Sequence, residues 1–394
     1  MAAVSRYLFV VPPLAGHTLP TVALGHELAA RGHEVAWVGH REVVAPLLPA
    51  PELLIPVQRG PDDWLADVVT RSRGLRGPAA FQFLWRDFLI PLARTSLPGV
   101  EAAVSAFRPD VLVVDQQALA GGMVARRHGL PWATSATTSA ELTDPFALVP
   151  KFGTWVREQL AELQQAQQVP VALAERGDLR FSEHLVLAYT TRCLLGAARE
   201  YPDHYAFVGP SVGVRAATHD YPWEWLDDRR QHLLVTLGTV DRENGARFLN
   251  AVLAAVEPLG HRLQVTIAAP PHLFADVPEH VLVREYVPQL RVLATADAVV
   301  CHGGHNTVCE SLAQGLPLVV APIRDDQPII ANQVVEAGAG RRVRFGRVGP
   351  AELRESILDV LGFPGYRAAA ERIRASFADA GGTAAAADRV EALG

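Results

Sequence analysis

The sequence predicts an α/β protein built from two parallel-sheet domains. Three observations carry this reading. Short apolar runs alternate with helical segments through the first half, the pattern breaks around residues 209–221, and the same alternation then restarts. A length of 394 residues with 49% hydrophobic content is enough for two separate cores.

In the first half, the apolar run 7–11 reads as a buried strand that meets Pro12-Pro13. It is too short for a secretory h-region and lacks a small-residue cleavage pattern. Residues 19–31 follow as a helix with Leu24 and Leu28 at helical spacing; Gly32 ends it, and 34–38 is the next strand. The unit recurs as strand 111–114, helix 118–128, stop at Gly129 and strand 132–134. Strands separated by helices imply a parallel sheet covered on both faces. The Gln-rich segment 158–168 reads as an exposed helix. Gly209, Pro210, Gly213 and Pro222 mark a connector, which sets a first domain at 1–212, a linker at 213–222 and a second domain at 223–394. In the second half, 233–236, 263–267, 298–301 and 318–321 read as strands. Residues 246–256, 306–314, 351–361 and 366–380 read as helices, and the last helix is free to pack back on the first domain.

Composition narrows the function classes. The net charge is −6 and no basic block appears, which argues against an extended nucleic-acid footprint. Cys193, Cys301 and Cys309 are an odd, sparse set with no Cys-x-x-Cys pair. That pattern argues against a disulfide framework or a structural zinc and fits a reducing cytoplasm. No stretch is long and apolar enough to span a bilayer. Nothing decides between a monomer and a homodimer.

Two constellations carry chemistry. In the second half, strand 298–301 runs through His302-Gly303-Gly304-His305 into a helix whose first turn holds Asn306 and Thr307. A helix start behind glycines is an anion site, because its N–H groups and dipole face a ligand that can approach the backbone closely. The next strand is followed by Asp325, Asp326 and Gln327, and strand 233–236 ends in Leu237-Gly238-Thr239 on the same rim. A phosphate site beside an acid–amide pair suits a nucleotide sugar. In the first half, Gly16-His17 follows the first strand and Asp115 follows 111–114, again on one rim. Histidine suits a base near neutral pH, and a carboxylate on its other nitrogen orients it and stabilises the imidazolium. Plainer roles exist for each residue. Glu310 could complement the helix dipole, Asp326 or Thr239 could serve a turn, Asp115 could cap a helix, and His302 could be a core histidine. His305 fits turn filler and site lining equally.

Phe81, Trp85, Phe88 and Leu92 follow helical spacing, Phe83 and Leu84 widen the stripe, and Trp132, Phe146, Phe152 and Trp155 follow. Most of these read as core. Some, with Phe81, Phe83, Trp85, Phe88 and Phe146 as candidates, would line an apolar acceptor pocket.

At these residues the chain resembles the family 1 glycosyltransferases of GT-B fold, including bacterial macrolide- and carotenoid-type natural-product enzymes. The resemblance runs from Gly16-His17 and Pro20, through Pro109-Asp110 and Asp115, to Pro288-Gln289, the His302–Thr307 turn, Glu310, Gly315, Pro317, Pro322 and Asp326-Gln327. It implies two Rossmann-like domains facing each other across a cleft, with the acceptor bound by the N-terminal one. It also implies that His302, Gly304, Asn306 and Thr307 hold the diphosphate with Thr239 nearby, and that Glu310 binds the ribose. Asp326 and Gln327 would hold the hexose, and the Val287 backbone the base; Tyr286 departs from the Trp that many members carry beside it. His17 and Asp115 would form the base dyad. The implied reaction is inverting transfer, without a metal or other cofactor, from a nucleotide-sugar co-substrate to a hydroxyl of a small apolar natural product. UDP-hexose is favoured and a dTDP-sugar is the alternative. A GT-B nucleotide-sugar epimerase or a noncatalytic GT-B partner are the competing readings; a nicotinamide enzyme fits less well, since no G-x-G-x-x-G follows the first strand.

Overall fold

The computed structural model describes residues 4–57, 64–72, 74–75, 77–143, 150–175, 177–196, 199–212, 220–238 and 245–394. The chain divides into two units. Met1–Thr190, Arg199–Val214 and Ala380–Gly394 make the first; Thr191–Ala198 and Arg215–Asp379 make the second.

The first unit holds a seven-stranded sheet: β1 (Arg6–Val10), β2 (Glu34–Gly39), β3 (Leu54–Pro56), β4 (Val111–Asp115), β5 (Trp132–Ala136), β6 (Leu185–Ala188) and β7 (Tyr205–Phe207). The order is β3-β2-β1-β4-β5-β6-β7, and every pairing is parallel. Alternation within the strands feeds two cores. Leu8, Val10, Leu112 and Val114 pack with helices Ile90–Phe107 and Leu119–His128. Tyr7, Phe9, Val111 and Val113 face Leu24 and Leu28 of α1 (Ala15–Ala30). This helix begins earlier than its apolar spacing suggests. Pro12-Pro13 end the strand, Leu14 becomes the N-cap, and Pro20 costs the helix one hydrogen bond without breaking it. The Gln-rich segment lies mostly in helix Pro150–Ala166, where Leu160, Leu163 and Gln164 are buried and most of the other residues are exposed.

The second unit repeats the plan with β8 (Gln231–Thr236), β9 (Leu263–Ala268), β10 (Val281–Arg284), β11 (Ala298–Cys301), β12 (Leu318–Val320) and β13 (Gly340–Arg342). Their order is β10-β9-β8-β11-β12-β13, all parallel. Leu233, Val235, Val300 and Val319 pack against α2 (Ala246–Val256) and helix Pro350–Gly362. Two further helices matter for the site: α3 (His305–Ala313) and α4 (Gln327–Glu336).

Helix α5 (Gly382–Glu391) belongs to the first unit. Its Ala386, Ala387 and Val390 complete the core around Tyr7 and Phe9. Arg31, at the end of α1, donates to Asp388 at 2.6 Å and Glu391 at 2.7 Å, while His33 contacts the other Glu391 oxygen at 2.8 Å.

Candidate active site

In the first unit the crossovers from β1 run toward β3 and those from β4 run toward β7, so the strand order reverses between β1 and β4. Loops leaving the carboxyl ends of such a pair diverge and open a crevice. Asp115 is the last residue of β4, and His17 lies in the first turn of α1, just beyond β1. His17 Nδ1 stands 2.9 Å from Asp115 Oδ1 and 3.0 Å from Oδ2. The carboxylate also accepts from the Gln117 N–H at 2.8 Å and from the Thr137 hydroxyl at 2.7 Å. An ionised carboxylate only accepts hydrogen bonds, so Nδ1 carries the proton and the lone pair lies on Nε2. The helix beyond Asp115 has Ala118 as its N-cap, so Asp115 does not serve that role.

Behind this pair is an ionic cluster. Arg180 donates to Glu141 at 2.9 Å and grips Asp178 through Nε at 3.0 Å and Nη2 at 2.5 Å. Burial pushes the Glu141 carboxyl up, against the lowering pull of Arg180 and His17. The Arg180 guanidinium lies 5.4 Å from the centres of both the Trp85 and Phe181 rings.

That contact bears on the aromatic stripe. Gly77–Phe83 is α-helical, Leu84–Leu89 is a π turn, and the α-helix resumes at Ile90. The widened turn comes just before Pro91, whose ring cannot accept the carbonyl four residues back. It turns Trp85 and Phe88 fully inward, and both are core residues, with Trp64 stacked on Phe88 at 5.9 Å. Phe81 and Phe83 are half-buried; Phe81 meets Phe152 edge-on at 5.3 Å. Phe146 lies outside the described residues, as does Thr239.

In the second unit the reversal falls between β8 and β11. His302 follows β11, and two glycines border the Cε1–Nε2 edge of its ring. A methyl group on Gly238 would come within 2.7 Å of the ring, and one on Gly304 within 2.5 Å of Nε2. Gly304 is the N-cap of α3 and has no side chain to cap it, so the first-turn N–H groups of His305, Asn306 and Thr307 face the rim. Gly303, at φ +88°, lies so close to the next unit of the sheet that a side chain there would strike Val320 and the Gln327 carbonyl. The glycine turn and the start of α4 are therefore adjacent.

Asp326 is the N-cap residue of α4 but its carboxylate does not cap the helix; Asp325 before it has φ +55°. Gln327 Oε1 accepts from the N–H groups of Ile323 at 2.8 Å and Arg324 at 3.2 Å. The loop thus takes its carbonyl oxygen. Glu310 is in the second turn of α3, too far along to serve as a first-turn charge, and accepts from Gln289 Nε2 at 2.7 Å. Val287 is half-buried and Tyr286 exposed. His305 is buried against Cys309, with 3.6 Å between Nε2 and Sγ. Among the described residues no three His, Cys, Asp or Glu side chains gather as a metal site, and no helix is long and apolar enough to cross a membrane.

Residues 250–393 match the family profile described as the erythromycin biosynthesis protein CIII-like C-terminal domain. The chain is 30% identical to the uncharacterized UDP-glucosyltransferase YojK of Bacillus subtilis (strain 168) over 298 residues, which span 71% of this chain and 72% of the relative. This chain is a family 1 glycosyltransferase. It is also 29% identical to the demethyllactenocin mycarosyltransferase of Streptomyces fradiae, across 98% of this chain and 86% of the relative. The crystal structure of the glycotransferase of kitacinnamycin matches with TM-score 0.77 and 26% identity over 100% of both chains. Spinosyn rhamnosyltransferase SpnG, complexed with thymidine diphosphate, matches with TM-score 0.73 and 25% identity over 98% of this chain and 100% of that one. The fold is GT-B.

Reading the strands of this glycosyltransferase one by one assigns no role to three groups around the candidate site. Thr137 lies one residue beyond β5 and is 3% exposed; the parallel order of β4 and β5 is the signal that could have found it. Gln289 stands in the Pro288-Gln289 pair of the motif, but its reach to Glu310 is not readable from the spacing. The Glu141–Arg180–Asp178 cluster joins residues scattered along the first unit.

Proposed function

We propose that this glycosyltransferase moves a hexose from a nucleoside diphosphate donor, UDP-hexose before dTDP-sugar, to a hydroxyl of a small apolar natural product with inversion. The observation that carries the proposal is the His17–Asp115 pair, whose proton on Nδ1 leaves Nε2 as the basic nitrogen. The acceptor hydroxyl gives its proton to Nε2 as its oxygen bonds to the anomeric carbon. The bond from that carbon to the diphosphate oxygen breaks, and the nucleoside diphosphate leaves with the electron pair. One displacement inverts the centre. The negative charge growing on the leaving group is met by the dipole and N–H groups at the start of α3, with His302 beside them.

Glu310 and Gln289 supply a carboxylate and an amide suited to ribose hydroxyls, which is the reason to place UDP first. Asp326 and the Gln327 NH₂ are an acceptor and a donor suited to hexose hydroxyls. The half-buried rings of Phe81 and Phe83 favour an apolar acceptor. SpnG has been solved with thymidine diphosphate and with spinosyn aglycone, ligands of this same general kind.

The test is turnover of UDP-glucose and dTDP-glucose with 4-methylumbelliferone and a panel of macrolide and carotenoid acceptors, for the wild type and His17→Ala. The variant should lose at least ~100-fold in kcat while UDP still raises its Tm as in the wild type. Wild-type turnover by His17→Ala would sink the base assignment.

A further inference from the structure

We propose that Thr137 is a positioning residue of the transferase, fixing the orientation of the His17 ring in the tautomer that Asp115 sets and that leaves Nε2 basic; this rests on the reading of His17 as the base. Asp115 alone defines the ring loosely, because its two oxygens lie at almost equal distances, 2.9 and 3.0 Å, from Nδ1. The closest oxygen to Nδ1 belongs to Thr137, at 2.7 Å, and the same hydroxyl is 2.7 Å from Asp115 Oδ2.

A hydroxyl has one proton to give. The carboxylate can only accept, so that proton goes to Asp115, and the Thr137 oxygen turns a lone pair toward Nδ1. The result is a directed chain from Nδ1–H to Oγ1 and from Oγ1–H to Oδ2. The opposite tautomer, with Nδ1 bare, would set both carboxylate oxygens against a nitrogen lone pair and draw the Thr137 proton away from Asp115 to Nδ1. The arrangement also fits the charged state. When Nε2 takes the acceptor's proton, Nδ1–H stays in place, and the negative end of the hydroxyl dipole already points at the imidazolium.

Thr137 is well built for this. It is 3% exposed, its N–H donates to the Ser135 carbonyl at 3.2 Å, and a β-branched side chain is stiff about χ1. The three groups come from three elements: the start of α1, the end of β4 and the residue after β5.

The test compares Thr137→Val, which keeps the shape and removes the hydroxyl, with Thr137→Ser, which keeps the hydroxyl. It uses UDP-glucose or dTDP-glucose, whichever donor turns over faster, with 4-methylumbelliferone. Thr137→Val should lower kcat by ~10–100-fold with both KM values within about twofold, and Thr137→Ser should recover to within about threefold of wild type. In a His17→Ala background Thr137→Val should cost nothing further. Independently of turnover, ¹⁵N-histidine NMR of the wild type should show His17, identified by its loss in His17→Gln, as the Nδ1–H tautomer. Thr137→Val should keep that tautomer, which Asp115 still enforces, and shift the Nδ1 resonance because its nearest acceptor is lost. Full activity in Thr137→Val beside an inactive His17→Ala would overturn the role of Thr137 and leave the base standing. A rise in KM alone would make Thr137 an acceptor contact instead. An Nε2–H tautomer in the wild type would also refute the proposal. An active His17→Ala would instead remove the base reading on which it rests.

Discussion

A methyl group at position 304 would sit 2.5 Å from His302 Nε2, on the ring edge that Gly238 also borders. Gly304→Ala should therefore tilt the imidazole and weaken UDP binding by ~10–100-fold, the worth of a hydrogen bond to a charged group. The cost to folding should be about 1 kcal/mol, that of replacing a glycine N-cap by alanine. Isothermal titration with UDP checks the first figure and urea unfolding the second; unchanged affinity would mean that His302 does not contact the nucleotide. At this scale the sequence is legible where a candidate residue stands at a strand end. His17, Asp115 and His302 are visible for that reason. The roles of Thr137 and Gln289 depend on which strands and helices become neighbours, and a linear pattern does not contain that. Gln327 is a mixed case: its place on the rim is readable, but the commitment of its carbonyl to Ile323 and Arg324 follows from the loop's path.

The elements differ in how plainly they are written. Helix 246–256 and strand 298–301 coincide with their apolar patterns because each is long enough to show its period. Strands β3, β7 and β13 leave little trace, with three residues each, and Pro56 or adjacent arginines among them. The π turn at Leu84–Leu89 interrupts the helix, yet Trp85, Phe88 and Leu92 are buried as the spacing of the stripe places them. Helix α1 gives a sharper test of packing. Gly25 lets the Trp37 indole lie against it, where an alanine methyl would meet Cη2 at 2.3 Å. Trp37 in turn stacks on Phe9 at 4.8 Å and donates Nε1–H to Thr21 at 3.0 Å. Gly→Ala inside a helix ordinarily stabilises by ~1 kcal/mol. Here Gly25→Ala should destabilise by ~1–3 kcal/mol through overpacking, and turnover should fall too because α1 carries His17. The urea midpoint is the measurement, and a rise would refute this account.

On the scale of the molecule, each unit encloses a histidine that burial keeps neutral. His232 contacts Thr266 through Nε2 at 2.8 Å, and Tyr221 meets the same hydroxyl at 2.7 Å. Burial pushes the His232 pKa down to about 4, and burial also lowers that of His40 in the first unit. The unfolded chain titrates His232 near 6.5, so between pH 6.5 and 4 the unfolded state binds more protons and stability falls as pH drops. Above that window its contribution is constant. The full effect is on the order of 3 kcal/mol. Urea unfolding at pH 7.5, 6 and 5 should show the loss, and His232→Gln should flatten the part owed to the second unit. Equal slopes in variant and wild type would contradict this. The two-unit division is legible from the repeated alternation, and the break at 209–221 marks the main crossing between units. The brief excursion of Thr191–Ala198 into the second unit carries no comparable signal.

Helix α5 gives the order of synthesis a particular meaning. The ribosome delivers the first unit's strands before any of the second unit's sheet, yet the face around Tyr7 and Phe9 stays without Ala386, Ala387 and Val390 until the second unit has been made. The unit begun first is therefore finished last. During translation its nascent sheet carries an uncovered apolar surface, which is the surface chaperones hold. A stop codon after position 379 would leave the second unit whole and injure the first, the one that holds His17.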